Sequence, residues 1–104
     1  MKDKEGKLPY YTVLYKQFPN AIESLVKRSV QGHIKYAKYD HNWDNFKSVE
    51  PEEYLNAALR HLKEPNEIDK ELVELTGQET THAEAALWNL VAYVEIIKTK
   101  KIKN

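Results

Sequence analysis

The sequence contains no cysteine. Disulfides, iron–sulfur clusters, thiolate-bound zinc and thiol nucleophiles are therefore excluded at once. Chain breakers are scarce, with three glycines and four prolines, which disfavours a many-turned β architecture and favours helices. No sign of charge dominates, because 16 Lys and Arg offset 16 Asp and Glu. A protein that coats DNA or RNA needs surplus cations, so no nucleic-acid polymer is expected as a partner. No apolar run approaches the ~20 residues that cross a bilayer. The opening residues Met1 to Lys7 are charged and lack the apolar stretch of a secretory leader. No membrane role is expected, and the plain expectation is a cytoplasmic location. Metal and nucleotide signatures with fixed spacing (H-E-x-x-H, the EF-hand loop, the P-loop, G-x-G-x-x-G) are also missing.

What is present is a charge-rich chain of 104 residues, 41% hydrophobic. That length suits one domain over residues 1–104, with 1–8 and the lysine-rich 98–104 expected to be flexible. A first helix is expected from Pro19, where Ile22, Leu25, Val26, Val30, His33 and Ile34 recur at helical spacing. A polar, aromatic loop follows and carries Asn42 and Trp43. A second helix opens at Pro51, with Glu50, Glu52 and Glu53 at its positive end. Its stripe is Tyr54, Leu55, Ala58, Leu59 and Leu62, and Pro65 stops it. Asp69 is placed to cap a short acidic helix that Gly77 closes. The last helix starts with Thr81-x-x-Glu84, a capping box, and from Ala85 to Ile97 is almost wholly apolar. A helix apolar all round belongs at the centre of a fold or against a partner. The expected fold is a small all-α bundle with this C-terminal helix at its heart. The excess apolar surface predicts a homo-oligomer joined through that helix or through the Tyr10–Phe18 segment.

Several side chains in this frame are candidates for chemistry. Asn89 and Glu95 interrupt the apolar helix and need polar partners. His82 and Asn89 lie seven residues apart on one face, and His82 reads equally as a ligand or as a surface residue. Arg60 offers a planar fork for phosphate or carboxylate, with an ion pair as its plainer role. His61 borders the apolar stripe beside it. Asn42 and Trp43 pair an amide with a large ring, a combination that could read and stack a base, although a loop Trp is as readily core. Lys35 and Lys38 could meet phosphates. Glu71-x-x-Glu74 puts two carboxylates on one helix face, a geometry that holds Mg²⁺ in helical nucleotide pyrophosphatases.

Taken together, these blocks resemble a known family. Tyr54-Leu-Asn-Ala-Ala-Leu-Arg-His-Leu62, preceded by Asn42-Trp43 and followed by Asp69, Glu71, His82 and Trp88-Asn89, is similar to a phage-associated all-α group. Its members include dATP/dGTP diphosphohydrolases. The likeness runs from Gly6 to about Glu95. Ala37 and Ala85 depart from it, the latter standing where the family pattern has a second histidine. The resemblance implies a nucleotide-handling protein, in its catalytic form a Mg²⁺-dependent diphosphohydrolase of purine (d)NTPs. In that form Asp69, Glu71 and Glu74 hold metal, Glu71 and His82 serve catalysis, and Lys38, Asn42, Trp43, Arg60, His61 and Asn89 bind nucleotide. The alternative is a non-catalytic phage protein of the host cytoplasm that sequesters a nucleotide or nucleotide second messenger. A third class is a helical interaction module that no nucleotide would stabilise.

Overall fold

The computed structural model describes residues 6–37 and 42–103. Four α-helices carry them: α1 (Pro19–Tyr36), α2 (Pro51–His61), α3 (Lys70–Thr76) and α4 (His82–Lys103). The molecule is all-α, as expected. Among the described residues, extended pairing is limited to one antiparallel bridge between Ile68 and Thr81. Both helix-opening prolines, Pro19 and Pro51, sit in first turns, where a missing amide proton costs nothing. Gly77 ends α3 in the left-handed region at φ 74°, and its amide donates to the Val73 carbonyl at 2.8 Å. This conformation strains any residue with a Cβ.

The capping box at α4 forms as the sequence implies. The Thr81 amide donates to Glu84 Oε1 at 2.9 Å, and the Glu84 amide donates to Thr81 Oγ1 at 3.2 Å. From that start α4 packs chiefly on α2, and on α1 to a smaller extent, while α3 docks on α1. Its buried row is Ala85, Asn89, Ala92 and Ile96, spaced i, i+4, i+7 and i+11 along one face. The alanines bring α2 close enough for Tyr54 to reach Ala92 and Ile96, with Phe46, Trp88 and Tyr93 around them. Edge-to-face contacts of Trp88 with Phe46 and Tyr54, with centroids 5.9 and 5.8 Å apart, complete this core. The Tyr54 hydroxyl donates to the Phe46 carbonyl at 2.7 Å.

Two faces differ from expectation. In α1, Val26 and Ile34 are exposed, whereas Gln31 is wholly buried. Ile22, Leu25 and Val30 are half-buried, but the one fully buried position of this helix is polar, because it meets the polar turn between α3 and α4. In α4, the face opposite the core carries Leu90 and Val94, both exposed. The helix is central, yet its apolar wheel is not covered all round. A short π-helical turn, Tyr11–Tyr15, precedes α1 and buries none of its residues. No helix among the described residues is long and apolar enough to cross a membrane.

Candidate functional site

The Ile68–Thr81 bridge decides where the chemistry-bearing side chains meet. The Asp69 amide donates to the Thr80 carbonyl at 2.8 Å, and the His82 amide to the Glu67 carbonyl at 2.9 Å. These two bonds clamp the start of α3 against the start of α4, so Asp69 and His82 come from neighbouring backbone. His61 arrives from the last turn of α2. Its Nδ1 lies 2.7 Å from His82 Nδ1, with the two rings stacked at 5.0 Å. At that distance one imidazole donates a proton and the other accepts it. Ligand atoms of His61, Asp69 and His82 all lie within 4.8 Å of one another. Among the described residues, this is where three metal-competent side chains converge.

Asp69 occupies the cap position of α3, but its carboxylate makes no capping bond. It is drawn instead to Arg28, whose Nη1 stands 3.1 Å from Asp69 Oδ2. The same nitrogen donates to Thr80 Oγ1 at 3.2 Å, and Thr80 donates to Gln31 Oε1 at 2.9 Å. Gln31 Nε2 donates to the Gln78 carbonyl at 3.0 Å. Every buried side-chain nitrogen and oxygen among the described residues has a partner. Such a network is costly to assemble and rigid once satisfied. Here it holds Oδ2 of Asp69, whose carboxylate lies within 4.8 Å of both imidazoles. The pKa of His61 is lowered, first by burial and then by the nearby His82 and Arg28, with Asp69 opposing them.

A cleft of about 790 Å³ opens beside this centre, with His61 and Asp69 on its lining. That volume lies in the range of small-molecule sites. Arg28, Lys35 and Arg60 bring cations to its walls, while Trp43, Phe46 and Trp88 bring rings. Trp88 is anchored by its indole N–H, which donates to Ser29 Oγ at 2.8 Å. Trp43 stacks on His33 with centroids 4.3 Å apart and planes 13° from parallel. Trp43 is 56% exposed, so the stack leaves surface for a further planar group. Burial, with Tyr36 nearby, pushes the Tyr54 hydroxyl pKa up to about 12, so this wall residue stays neutral.

The sequence-derived candidates are distributed unevenly around the cleft. Arg60, His61, Trp43, Asn89, Asp69 and Glu71 all line it. Asn89 is buried, its Nδ2 donating to the Ala85 carbonyl at 2.7 Å. Asn42 is exposed and spends its Oδ1 on the Asp44 amide at 2.9 Å, which turns the loop that presents Trp43. Glu71 pairs with Lys35 at 2.8 Å, and this contact raises the lysine's pKa. Glu74 is exposed and is not among the lining residues. Asp69 is thus grouped with His61 and His82, and not with Glu71 and Glu74. Lys38 lies outside the described residues. Sequence reasoning passed over Arg28, Gln31 and Thr80. Their signal was a polar row at helical spacing in α1 (Arg28, Gln31, Lys35), which reads ordinarily as a solvated face.

No curated protein and no solved structure matches the chain. One family model does, over residues 1–104, and its description is dATP/dGTP diphosphohydrolase, N-terminal. That match agrees with the all-helical fold and with a His/Asp/His group suited to a divalent ion. The chain therefore belongs to the dATP/dGTP diphosphohydrolase N-terminal family.

Proposed function

We propose that the cleft binds a purine nucleoside triphosphate and, with a divalent ion, hydrolyses it to the monophosphate and pyrophosphate. The observation that carries this reading is the convergence of His61, Asp69 and His82 at a cleft walled by cations and stacking rings. When bound, the ion would supply an activated water and neutralise charge on the leaving pyrophosphate. Water adds to the α-phosphorus, and the bond to the β-phosphate's bridging oxygen breaks. The chain's own residues bind and orient. Arg60, exposed on the cleft wall, grips phosphate through paired N–H donors. Lys35 contributes a second charge and holds the Glu71 carboxylate on the wall. The outer face of Trp43 takes the purine, with the His33 ring stacked behind the indole. Asn89, deeper in, offers its amide to the base or sugar, while Asn42 turns the loop that presents Trp43.

The test is pyrophosphate release from dATP and dGTP by the purified chain, with Mg²⁺, Mn²⁺, Co²⁺ or Zn²⁺ supplied in turn. Release that falls sharply in Arg60→Ala and Asp69→Asn supports the assignment. A wild-type protein that releases none with any ion defeats it. One observation favours a second reading, capture without hydrolysis. Ala85, one turn after His82, is wholly buried and brings no ligand where the family pattern has a histidine. Capture predicts a nucleotide-induced rise in melting temperature that survives a chelator.

A further inference from the structure

We propose that His61, Asp69 and His82 form a three-ligand site for a borderline transition metal of the Zn²⁺ or Co²⁺ type, not for Mg²⁺. Mg²⁺ is held by carboxylates, phosphates and water in octahedral oxygen shells and has little use for imidazole. Two imidazoles with one carboxylate suit Zn²⁺ and its neighbours. The paired carboxylates of Glu71 and Glu74 are the oxygen-rich alternative, yet Glu71 is engaged by Lys35 and Glu74 is off the cleft.

The geometry needs little adjustment. Two nitrogens bound to one tetrahedral ion at about 2.0–2.1 Å lie roughly 3.3 Å apart. His61 Nδ1 and His82 Nδ1 are 2.7 Å apart, so the rings must part by about half an ångström. The two Nδ1 atoms are already neighbours, and a carboxylate oxygen of Asp69 lies within 4.8 Å of the ligand atoms of both rings. The carboxylate is also supported as ligating carboxylates are, by a hydrogen-bonded outer layer. Arg28 bonds its Oδ2, Thr80 holds Arg28, and the buried Gln31 holds Thr80. Three protein ligands leave a coordination position open, the pattern of catalytic and not structural sites. His61 and Asp69 line the cleft, so that position is within reach of a bound phosphate or water.

The site rests on the nucleotide reading only for the ion's role, and its occupancy can be measured without nucleotide. Chelator-stripped protein is titrated with Co²⁺ and followed by visible absorption, with Zn²⁺ and Mg²⁺ then added as competitors. The expected result is one Co²⁺ per chain with ligand-field bands, displaced by stoichiometric Zn²⁺ and unaffected by a thousand-fold excess of Mg²⁺. His61→Gln, His82→Gln and Asp69→Asn should each remove the bands, while Glu71→Gln and Glu74→Gln should keep them. Circular dichroism identifies any variant that has unfolded. Arg28→Lys, which keeps the charge but not the forked geometry, should weaken Co²⁺ about 10–100-fold without abolishing it. Absence of bands in folded wild-type protein overturns the site, as does displacement by Mg²⁺ or retention of bands in the His82→Gln protein. Co²⁺ binding without any nucleotide binding would leave the metal site standing and remove the nucleotide reading. Mg²⁺-supported hydrolysis without Co²⁺ binding would do the reverse.

Discussion

Arg28 and Asp69 offer the sharpest test of how this fold is held. Their side chains are 13% and 11% exposed, and the ion pair spans α1 and the start of α3. Replacing Arg28 by Met keeps much of the aliphatic volume but strands the Asp69 carboxylate. Removing one partner of a buried pair costs about 3–5 kcal/mol, because a desolvated charge is left uncompensated. Two features of the site lower that figure. Thr80 loses the Arg28 donor but keeps its own bond to Gln31, so no further polar atom is orphaned. Arg28 is also one of the charges that lower the His61 pKa, after burial and His82, so its loss eases proton uptake by that imidazole beside Asp69. The expected cost is therefore about 2–4 kcal/mol at neutral pH.

Urea denaturation of Arg28→Met, Asp69→Asn and the double variant measures both the cost and its origin. With m unchanged, the midpoint shift reports stability alone. The two single costs should not add. Once Arg28 is gone, neutralising Asp69 removes the stranded charge, so the double variant should be no less stable than Arg28→Met. Coupling of about 1.5–3 kcal/mol is expected for residues in one buried network. A cost below about 1 kcal/mol would place the pair with ordinary surface ion pairs. That result, or strict additivity, would refute the claim that a buried charge network joins α1 to the metal-competent centre.

Other consequences are equally open to measurement. Arg60→Ala should weaken nucleotide binding by about 1.5–3 kcal/mol, the value of a charged hydrogen bond, while the melting temperature holds; unchanged affinity by calorimetry would return Arg60 to the surface. Hydrogen bonds from Ser24 and Thr81 outweigh burial and hold the Glu84 carboxyl below its ordinary 4.5. A carboxyl lowered on folding stabilises above pH 4.5, and that contribution fades as the pH falls through its folded value. Glu84→Gln should therefore melt lower than wild type at neutral pH and converge with it in acid, whereas a constant difference would show that charge is irrelevant there. Leu8, Tyr10, Tyr11, Tyr15 and Phe18 are each more than half exposed, a run of large apolar side chains of the kind that marks an interface. Light scattering should show a homo-oligomer that Tyr15→Glu disrupts, with Val94→Glu as the test of the open α4 face, and a micromolar monomer would remove the idea.

Much of the helical framework was legible because its signals are local. Pro19 and Pro51 mark first turns, Gly77 supplies the left-handed stop, and Thr81 with Glu84 forms the cap that their spacing implies. Each of these depends on residues within one turn of each other, so the chain alone specifies them. The facing of α1 was only partly legible by the same rule. Periodicity assigns its apolar row to the core, and Ile22, Leu25, Val30 and His33 are half-buried, but Val26 and Ile34 are exposed and Gln31 is buried. What settles the orientation is non-local: Thr76, Gln78 and Thr80 lie 45 to 49 residues on and satisfy Gln31 completely. A buried polar face is affordable only when its partner exists, and no window of sequence contains both sides.

The same distinction accounts for the site. Asp69 was readable as a helix cap and His82 as the first residue of a helix, and both positions are correct. Their shared destination depends on the Ile68–Thr81 bridge, which neither helical pattern announces. The bridge brings His82 beside Asp69, and the end of α2 then adds His61 at 2.7 Å from its partner imidazole. A carboxylate used as a cap turns back toward the first amides of its own helix. Here Arg28 takes one oxygen and α3 begins without a side-chain cap, forgoing about 1 kcal/mol of local helix stability. That local loss is the structural mark of a residue positioned for something other than its helix. Glu71 and Glu74 carry no such mark: one is paired with a partly exposed lysine and the other is exposed. Helical spacing put two carboxylates on one face, but the tertiary fold selected the aspartate two residues before Glu71 and supplied imidazoles from two other helices.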